Sequence, residues 1–421
     1  MHKDLNIGLF GFGVVGQGLY DVLLNSRGIK ASIARICVKD RTKKRKLPAS
    51  FFTFDKYDLI NNPDIDIIVE LIDDAEEAFK IVSEAMKKGK SVVTANKKMV
   101  AQHLEELVQL QEENHVSLLY EASCCGSIPI IRTLEEYYDN ELLYSVSGIF
   151  NGSSNYILSK VFNEGLAYDL ALKQAQDLGF AETDPTLDVG GFDPKYKVTI
   201  IAAHAYGLFL NPDAIFNIGI QNLSRHDIQY AKEKGYKIKL VPHVTKIDAA
   251  TISLLVMPQF VDRHHPLFNV ENENNGVIVE AAFSEKQFFS GKGAGGYPTG
   301  SAVLSDISAL TYGYKYEYKK HLQHIEVRSS NNIEVEVYLR YTDKQLLQQI
   351  PFVSISEKFS GKDFRYVIGY VNLETLLQNQ ELLRSSDAFL VSTGNFKSVT
   401  SPDEHAAKEE IIVNKEALAS S

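Results

Sequence analysis

The chain has 421 residues, enough for two or three domains, and 44% of them are hydrophobic, an ordinary share for a globular protein. The formal net charge of −10 argues against non-specific nucleic-acid binding, and no apolar run is long enough to span a membrane. The three cysteines, Cys37, Cys124 and Cys125, cannot all pair, and the early first strand leaves no room for a signal peptide. We therefore expect a reduced, cytoplasmic protein without nucleic-acid or membrane partners.

The first predicted elements are a short apolar strand, a glycine-rich turn and a helix, in the sequence LNIGLFGFGVVGQG at residues 5–18. Gly11 permits a tight turn, Gly13 lets the backbone approach a pyrophosphate, and Gly16 lets the helix pack closely on the strand. The helix that begins near Val14 and Val15 would point free N–H groups at the phosphates. This pattern predicts a dinucleotide site.

Strands and helices alternate from residue 5 to about 130, which predicts an α/β fold with a Rossmann-type, doubly wound parallel sheet. The predicted strands after the first lie at 33–38, 66–71, 91–94 and 116–121, and the predicted helices at 76–88 and 98–114. We assign residues 1–131 to this nucleotide-binding domain. A helix predicted at 301–311 is expected to return and pack on it, which adds residues from about 301 to 325.

Two further units are predicted. Residues 132–300 have longer helices (130–140, 155–164, 168–178 and 195–208) and later strands (251–256 and 276–282), which indicates an α+β substrate and dimerisation domain. Residues 333–395 show the order βαββαβ, which predicts a small ferredoxin-like domain with a core of its own. Residues 396–421 are polar and are predicted to be a flexible tail.

The segment after the second strand bears on the choice of nucleotide. Lys39, Asp40 and Arg41 stand there, and further basic residues follow at 43–46. Cationic side chains at this point suit a 2′-phosphate, so we expect NADP to be preferred. Asp40 keeps NAD possible, since an acid there would bind the ribose hydroxyl, and the run could also be a solvated basic loop.

Candidate site residues lie in three further segments. Thr94 and Lys97 follow a predicted central strand, at the sheet edge where ligands bind in open α/β folds. In residues 179–197, polar groups stand among glycines and prolines before a helix, namely Glu182, Asp188, Asp193 and Lys197. Asp193 fits a helix cap, and Lys197 would lie one turn later on the same face, where an acid can hold and tune the proton of a lysine. Gly293 and Gly295, in the segment 291–299, would let the backbone close over a nicotinamide ring.

Taken together, these segments resemble homoserine dehydrogenase. The resemblance covers about residues 5–320 and rests on the order and spacing of GFGVVGQG at 11–18 with its preceding strand, VELI at 69–72, VVTANK at 92–97, EAS at 121–123, SIPII at 127–131, GIFNGSSNYIL at 148–158, GFAETDPTLDVGGFDPKYK at 179–197 and GKGAGGYPTGSAVLSDI at 291–307.

The resemblance implies reversible, NAD(P)-dependent reduction of L-aspartate 4-semialdehyde to L-homoserine, in threonine and methionine biosynthesis. It makes Lys197 the proton donor, places Lys97 beside cofactor and substrate, and assigns Glu182 and Asp193 to amino-acid binding and Asp188 to the same site. It also implies a Na⁺ or K⁺ site formed by the backbone carbonyls of Glu121, Cys124, Gly126 and Ile128. A homodimer or homotetramer is expected, and no aspartokinase segment is expected before the first strand.

The chain departs from the family pattern in three places. Asp73 and Asp74 stand where two glycines are usual, and Cys124-Cys125 replaces a valine-glycine pair, so that Cys125 needs a backbone angle that glycine adopts more easily. The C-terminal unit is similar to an ACT domain in element order only, because residues 341–346 lack the usual turn glycine. Two alternatives stay open: a thiol-dependent semialdehyde dehydrogenase with a cysteine nucleophile, and a non-catalytic nucleotide sensor.

Overall fold

A six-stranded parallel sheet forms the N-terminal part of the protein, whose computed structural model describes residues 4–139, 142–323 and 326–398. Its strands are β1 (Leu5–Phe10), β2 (Ala31–Cys37), β3 (Phe52–Thr53), β4 (Ile67–Glu70), β5 (Ser91–Thr94) and β6 (Leu118–Leu119), and its helices are α1 (Val14–Asn25), α2 (Tyr57–Ile60), α3 (Ala75–Lys87) and α4 (Lys97–Asn114). The strand order β3-β2-β1-β4-β5-β6 confirms the predicted doubly wound fold.

The order of this sheet fixes where a ligand can bind. Strand β1 pairs with β2 on one side and with β4 on the other, so the crossover direction reverses between β1 and β4. Ligands of open α/β sheets bind outside the carboxyl ends of the strands at such a point. The glycine turn after β1 and the chain after β4 and β5 therefore face the same crevice.

A second, mixed sheet runs through the rest of the molecule. Its strands are β7 (Leu143–Ile149), β8 (Phe216–Asn217), β9 (Lys237–Lys246), β10 (Thr251–Val261), β11 (Asn274–Ala281), β12 (Glu285–Lys292), β13 (Arg328–Ser329), β14 (Ile333–Tyr341), β15 (Ser354–Ser360), β16 (Arg365–Asn372) and β17 (Phe389–Ser398). The helices that accompany it are α5 (Ile130–Arg132), α6 (Gly152–Ser159), α7 (Tyr168–Asp177), α8 (Thr186–Val189), α9 (Phe192–Tyr206), α10 (Arg225–Glu233), α11 (Gly296–Leu310), α12 (Leu346–Gln349), α13 (Leu373–Gln378) and α14 (Gln380–Ser385).

The strand β9 lies between β7 and β10 at the centre of this sheet, although its sequence does not look like a buried strand. It contains Pro242, which cannot donate a ladder hydrogen bond, and Lys239, which is only 1% exposed. The Lys239 ammonium donates to the carbonyl of Val270 at 2.6 Å and to the Asn155 side chain at 3.0 Å. These partners make the buried charge tolerable, and they lie too far away in sequence to be predicted.

The C-terminal strands join the same sheet. Their order β17-β14-β16-β15, with antiparallel pairs throughout, is that of a βαββαβ unit, and α12 is its single-turn first helix. The sheet continues into β10 through a parallel pair between Gln259 and Ser392. Strand β17 runs to Ser398, so residues 396–398 belong to a strand and not to a tail; residues 399–421 of the predicted tail lie outside the described residues.

The C-terminal unit supplies most of a separate apolar core but shares it with the middle domain, residues 132–300, so the core predicted from sequence is only partly its own. Its apolar residues, such as Val337 and Leu376, pack in one cluster with Phe216, Leu255 and Met257 of the middle domain. Apolar alternation identifies the inward face of a strand, but it does not tell which partner covers that face. The unit is thus built onto the middle domain.

Helix α11 returns to the nucleotide-binding domain and packs on α1, as the sequence predicts for residues 301–311, although it already begins at Gly296. Small residues make the crossing close. A Cβ atom on Gly18 would lie 2.0 Å from the carbonyl oxygen of Gly296, and one on Gly300 would lie 2.7 Å from the amide nitrogen of Leu19. The two backbones therefore touch, and the crossing joins the middle of the chain to its beginning.

Within the described part of the chain, none of the helices has the length and apolar character needed to cross a membrane.

The close crossing predicts that Gly18→Ala destabilises the protein. The added methyl group must push α11 away, which we expect to lower the free energy of unfolding by about 1–3 kcal/mol, although alanine favours helices. Urea denaturation measures this change. Gly28→Ala is the matched control, because a Cβ there meets no atom within 4 Å. An unfolding midpoint for Gly18→Ala at or above that of the parent would contradict the prediction.

Candidate active site

A cleft of about 260 Å³ opens between the nucleotide-binding domain and the middle domain. The chain after β4 and β5 lines one wall, where Ile72 and Lys97 face it, and the loop and helix around Asp188 and Asp193 line the other. Lys197 completes that second wall. Residues predicted from two distant parts of the sequence are thus brought together.

The Asp193 carboxylate lies at the centre of this cleft and bridges two lysines. Its Oδ1 atom is 2.9 Å from Nζ of Lys97, and its Oδ2 atom accepts a hydrogen bond from Nζ of Lys197 at 2.8 Å. Lys197 also donates to the carbonyl of Phe150 at 2.6 Å. Burial alone would raise the pKa of Asp193, but the two ammonium groups outweigh it and hold this pKa well below its usual range. The charge of Asp193 in turn raises the pKa of Lys97.

A second carboxylate shares this site. The Asn151 amide donates to Asp188 at 2.7 Å and to Asp193 at 2.9 Å, and so it holds the two acids side by side. Burial and the neighbouring Asp193 charge raise the pKa of Asp188 to about 6. One carboxyl is therefore firmly ionised, while its neighbour is protonated more easily than an ordinary carboxyl.

Local structure fixes the positions of these side chains. Gly191, with a φ of 79°, precedes α9 as its cap residue, so Asp193 lies inside the first turn of α9 and not at the predicted cap position. Lys197 follows one turn later on the same face, as predicted. Lys97 is the first residue of α4, whose cap is Asn96 through a hydrogen bond from the Met99 amide.

A ring of buried hydrogen bonds joins the ends of β4 and β5 beneath Lys97. Glu70, which is fully buried, accepts from the Ile72 amide at 2.6 Å and from the Thr94 hydroxyl at 2.5 Å. Thr94 accepts from the Asn96 amide, and the Asn96 side chain donates to the Ile72 carbonyl. Thr94, predicted to bind cofactor, is itself buried and acts within this ring. Glu70 was not predicted as a functional residue. An acid inside an otherwise apolar strand is the feature of the sequence that could have identified it.

The nucleotide groove begins at the glycine turn and adjoins the cleft. Gly11 has a φ of 88° and packs against the Leu71 carbonyl, and a Cβ on Gly16 would come within 2.6 Å of the Gly11 carbonyl. No atom lies within 4 Å of a Cβ built on Gly13, so the backbone there is open to a close-lying phosphate. Val15 lines the cleft, whereas Val14 is 72% exposed at the start of α1.

The basic loop after β2 forms one wall of this groove. Lys39, Lys43 and Arg45 line it, while the Arg41 guanidinium lies over the ring of Phe54, 4.6 Å from its centroid. The carboxylate of Asp40 turns back onto its own loop, and accepts hydrogen bonds from the amide and hydroxyl of Thr42, both at 2.7 Å. These bonds lower the pKa of Asp40, and both engage the same oxygen, Oδ1.

The two acids that replace the usual glycines have different surroundings. Asp74 caps α3 by accepting from the Glu77 amide at 3.1 Å. Asp73 is exposed and lines both the groove and the cleft. A carboxylate therefore stands at the passage between the nucleotide groove and the substrate cleft.

The loop of the predicted cation site forms a fixed turn. Cys125 has a φ of 54° and Gly126 a φ of 60°, so a cysteine does adopt the left-handed angle that its position demands. The carbonyl of Glu121 accepts from the Cys124 amide, and that of Ile128 accepts from the Ile130 amide. A carbonyl oxygen has a second lone pair, so this donor set still fits a hard monovalent cation. The described residues contain no cluster of acidic, histidine or cysteine side chains suited to a metal ion.

The cysteines are poor nucleophiles. Cys125 lines the cleft, but burial raises the pKa of its thiol to about 12, and burial likewise raises that of Cys124 well above its usual value. Because the thiolate is the reactive form, the geometry does not favour the thiol-dependent alternative.

The other predicted residues lie at the margins. Gly293 and Gly295 line the cleft, and Gly295 has a φ of 119° just before α11. Glu182, by contrast, is exposed and lies outside the cleft lining, on the loop that joins α7 to α8. The structure therefore does not bring Glu182 to the two lysines.

Comparisons with known proteins agree with this geometry. Residues 11–121 match the family model described as "Homoserine dehydrogenase, NAD binding domain", and residues 129–308 match the one described as "Homoserine dehydrogenase". A homoserine dehydrogenase of Bacillus subtilis is 38% identical over 317 residues, 73% of this chain and 73% of that protein. The chain belongs to the homoserine dehydrogenase family. It is an oxidoreductase with a nicotinamide-dinucleotide-binding domain, which excludes the non-catalytic sensor.

Solved structures extend the likeness beyond the matched domains. A homoserine dehydrogenase from Thiobacillus denitrificans superposes with a TM-score of 0.81 at 28% identity, and the match covers 93% of this chain and 99% of that one. A hyperthermophilic archaeal homoserine dehydrogenase mutant in complex with NADPH has a TM-score of 0.64 at 27% identity, over 75% of this chain and all of that one.

The burial of Glu70 predicts a specific pH dependence of stability. Burial raises the pKa of Glu70 from its ordinary 4.5 to about 7, so the folded state favours the neutral carboxyl. This contribution to stability is complete below pH 4.5 and is lost as the pH rises through 7. Relative to Glu70→Gln, which cannot ionise, the parent should lose up to about 3 kcal/mol of unfolding free energy between pH 5 and 8.

Urea denaturation of both proteins at several pH values measures this difference. Glu105→Gln, on an exposed part of α4, controls for the loss of one negative charge. A constant difference between the parent and Glu70→Gln across this pH range would show that Glu70 is ionised throughout.

Proposed function

We propose that the cleft between the two domains reduces the aldehyde group of L-aspartate 4-semialdehyde, and oxidises L-homoserine in reverse, with Lys197 as the proton carrier. The observation that supports this proposal is the Asp193 carboxylate that bridges Lys97 and Lys197 within one cleft beside the glycine turn. The nicotinamide, when bound, supplies or accepts the hydride at the carbonyl carbon. The protein supplies the positions and the proton.

The role of Lys197 follows from its partners. Its Nζ atom donates to Asp193 and to the Phe150 carbonyl, and two acceptors leave one N–H to point elsewhere. In the reduction, that N–H would give its proton to the oxygen on which negative charge develops. Asp193 would hold the ammonium group in place and stabilise its charge, and Lys97 would share that carboxylate from the cofactor side.

The acids of the cleft suit the amino group of the substrate. Asp188 has Asn151 as its hydrogen-bond partner, and it lacks a lysine as close as those of Asp193. An ammonium group of the substrate beside Asp188 would give this acid a positive partner, as the lysines do for Asp193. A substrate contact of Glu182 stays a prediction from sequence, and it would require the exposed loop to turn toward the cleft.

For the nucleotide, we propose NADP in preference to NAD. The support is the basic wall formed by Lys39, Lys43 and Arg45. Asp40 lines the same groove, and its Oδ1 atom accepts a hydrogen bond from the Thr42 backbone amide. Arg41 does not line the groove itself. Its guanidinium stacks on Phe54, which is part of the wall, and so helps to shape it. Lys39 lines the groove and is therefore the residue to test.

A monovalent cation, Na⁺ or K⁺, would be held by the carbonyl oxygens of Glu121, Cys124, Gly126 and Ile128. It would fix the turn that carries Cys125 into the cleft. This site, the homodimer or homotetramer, and the cytoplasmic location stay predictions.

The proton-transfer proposal predicts that Lys197→Ala lowers kcat by roughly 10²–10⁴-fold, because the developing alkoxide loses its proton donor. The affinity for NADP, measured by fluorescence titration, should stay within a few-fold of the parent. Lys98→Ala, an exposed neighbour of Lys97 outside the cleft lining, is the control and should keep parental turnover. A kcat for Lys197→Ala near that of the parent would assign proton transfer to another group.

The nucleotide proposal predicts that Lys39→Ala raises KM for NADP much more than KM for NAD, since only NADP has a 2′-phosphate. A lost charge-assisted contact of this kind corresponds to roughly 10-fold or more in KM. Lys44→Ala, exposed on the same loop but outside the groove lining, controls for the general charge of the loop. Equal increases in KM for NADP and for NAD would show that the loop does not bind the 2′-phosphate.

A further inference from the structure

The start of the catalytic helix α9 is held from outside the cleft by a side chain of the C-terminal unit. Arg384, on α14, places its guanidinium over the ring of Phe192, 4.8 Å from the ring centroid. Phe192 is the first residue of α9 and stands next to Asp193. A residue more than 180 positions away in sequence therefore touches the neighbour of the central carboxylate.

Hydrogen bonds link the same arginine to the turn before α9. The Nη2 atom of Arg384 donates to the Asn217 side-chain oxygen at 2.7 Å and to the Asn217 carbonyl at 2.9 Å. The Asn217 amide nitrogen then donates to the Gly190 carbonyl at 3.0 Å. Because the guanidinium occupies Oδ1 of Asn217, it fixes which end of that amide faces Gly190.

The turn held in this way lies between the two acids of the cleft. Gly190 stands between Asp188, on α8, and Asp193, on α9. Asn217 is fully buried, and the Gln380 side chain of α14 accepts from its backbone amide at 2.8 Å. Two side chains of α14 thus hold Asn217, and Asn217 in turn holds the Gly190 carbonyl of the turn that leads to Asp193.

We infer that Arg384 is a positioning residue for the reaction: through Asn217 and Phe192 it sets the placement of Asp193, and so makes the C-terminal unit necessary for full turnover. This inference rests on the proposed role of Asp193. The core that the unit shares with the middle domain joins α14 to the same part of the protein.

Arg384→Ala tests the inference in the full-length protein. We expect kcat for homoserine oxidation to fall roughly 3- to 30-fold, the range typical of coupling through a packed network, with an unchanged Kd for NADP. Arg384→Lys keeps a positive charge near Phe192 but loses the planar guanidinium donors. Its kcat should therefore lie between those of the parent and Arg384→Ala. Arg365→Ala is the matched control, since Arg365 belongs to the same unit but donates to Thr342, away from α9.

The readouts separate positioning from stability. Melting temperatures of all variants are measured, and kcat is measured well below them. A parental kcat in Arg384→Ala overturns the inference, and so does an equal loss in Arg365→Ala or a loss that disappears when the assay temperature is lowered. Asp193→Asn is assayed in parallel: if it keeps parental kcat, the proposed role of Asp193 fails and removes the basis of the coupling, whereas a parental kcat in Arg384→Ala alone overturns only the coupling.

Discussion

One buried carboxylate holds the two halves of this site together. Asp193 receives Lys97 from the nucleotide-binding domain and Lys197 from its own helix, and each pairing is under 3 Å. Without the two cations, burial would favour a neutral acid at Asp193, and without the acid the two cations would repel each other. A contact between the two walls of the cleft and the ionisation of Asp193 therefore depend on the same three groups.

Around this centre, each element is fixed by a different kind of contact. The ring through Glu70, Thr94 and Asn96 fixes the start of α4, which carries Lys97. The contact between Gly18 and Gly296 fixes α11, whose preceding glycines line the cleft. The ring consists of buried polar groups that hydrogen-bond to one another. The helix crossing is close because glycines have no side chains to keep the two backbones apart. Both leave the cleft itself free for ligands.

The C-terminal unit lies away from the cleft but is held to the middle domain by buried contacts. Its core includes Phe216 and Leu255 of the middle domain, and a buried ion pair between Arg340 and Asp227, with N···O at 2.9 Å, ties it to the cap of α10. A buried pair of this kind is costly to break, because either partner alone would be an uncompensated charge. The unit is thus joined to the segment that leads from α9 to α10.

The sequence by itself determined the doubly wound sheet, the glycine turn and the spacing of Asp193 and Lys197, because apolar periodicity, glycine geometry and helical repeat are local properties. The family resemblance could also be recognised from the sequence alone, because the motifs and their order can be read directly from it. It could not determine that Arg41 stacks on Phe54, that Thr94 is buried, or that Glu182 is exposed, because each depends on which distant segment covers the residue. Only the tertiary structure decided the partners of Glu70, Lys239 and Arg384, since a buried polar group is specified by donors and acceptors far away in the chain.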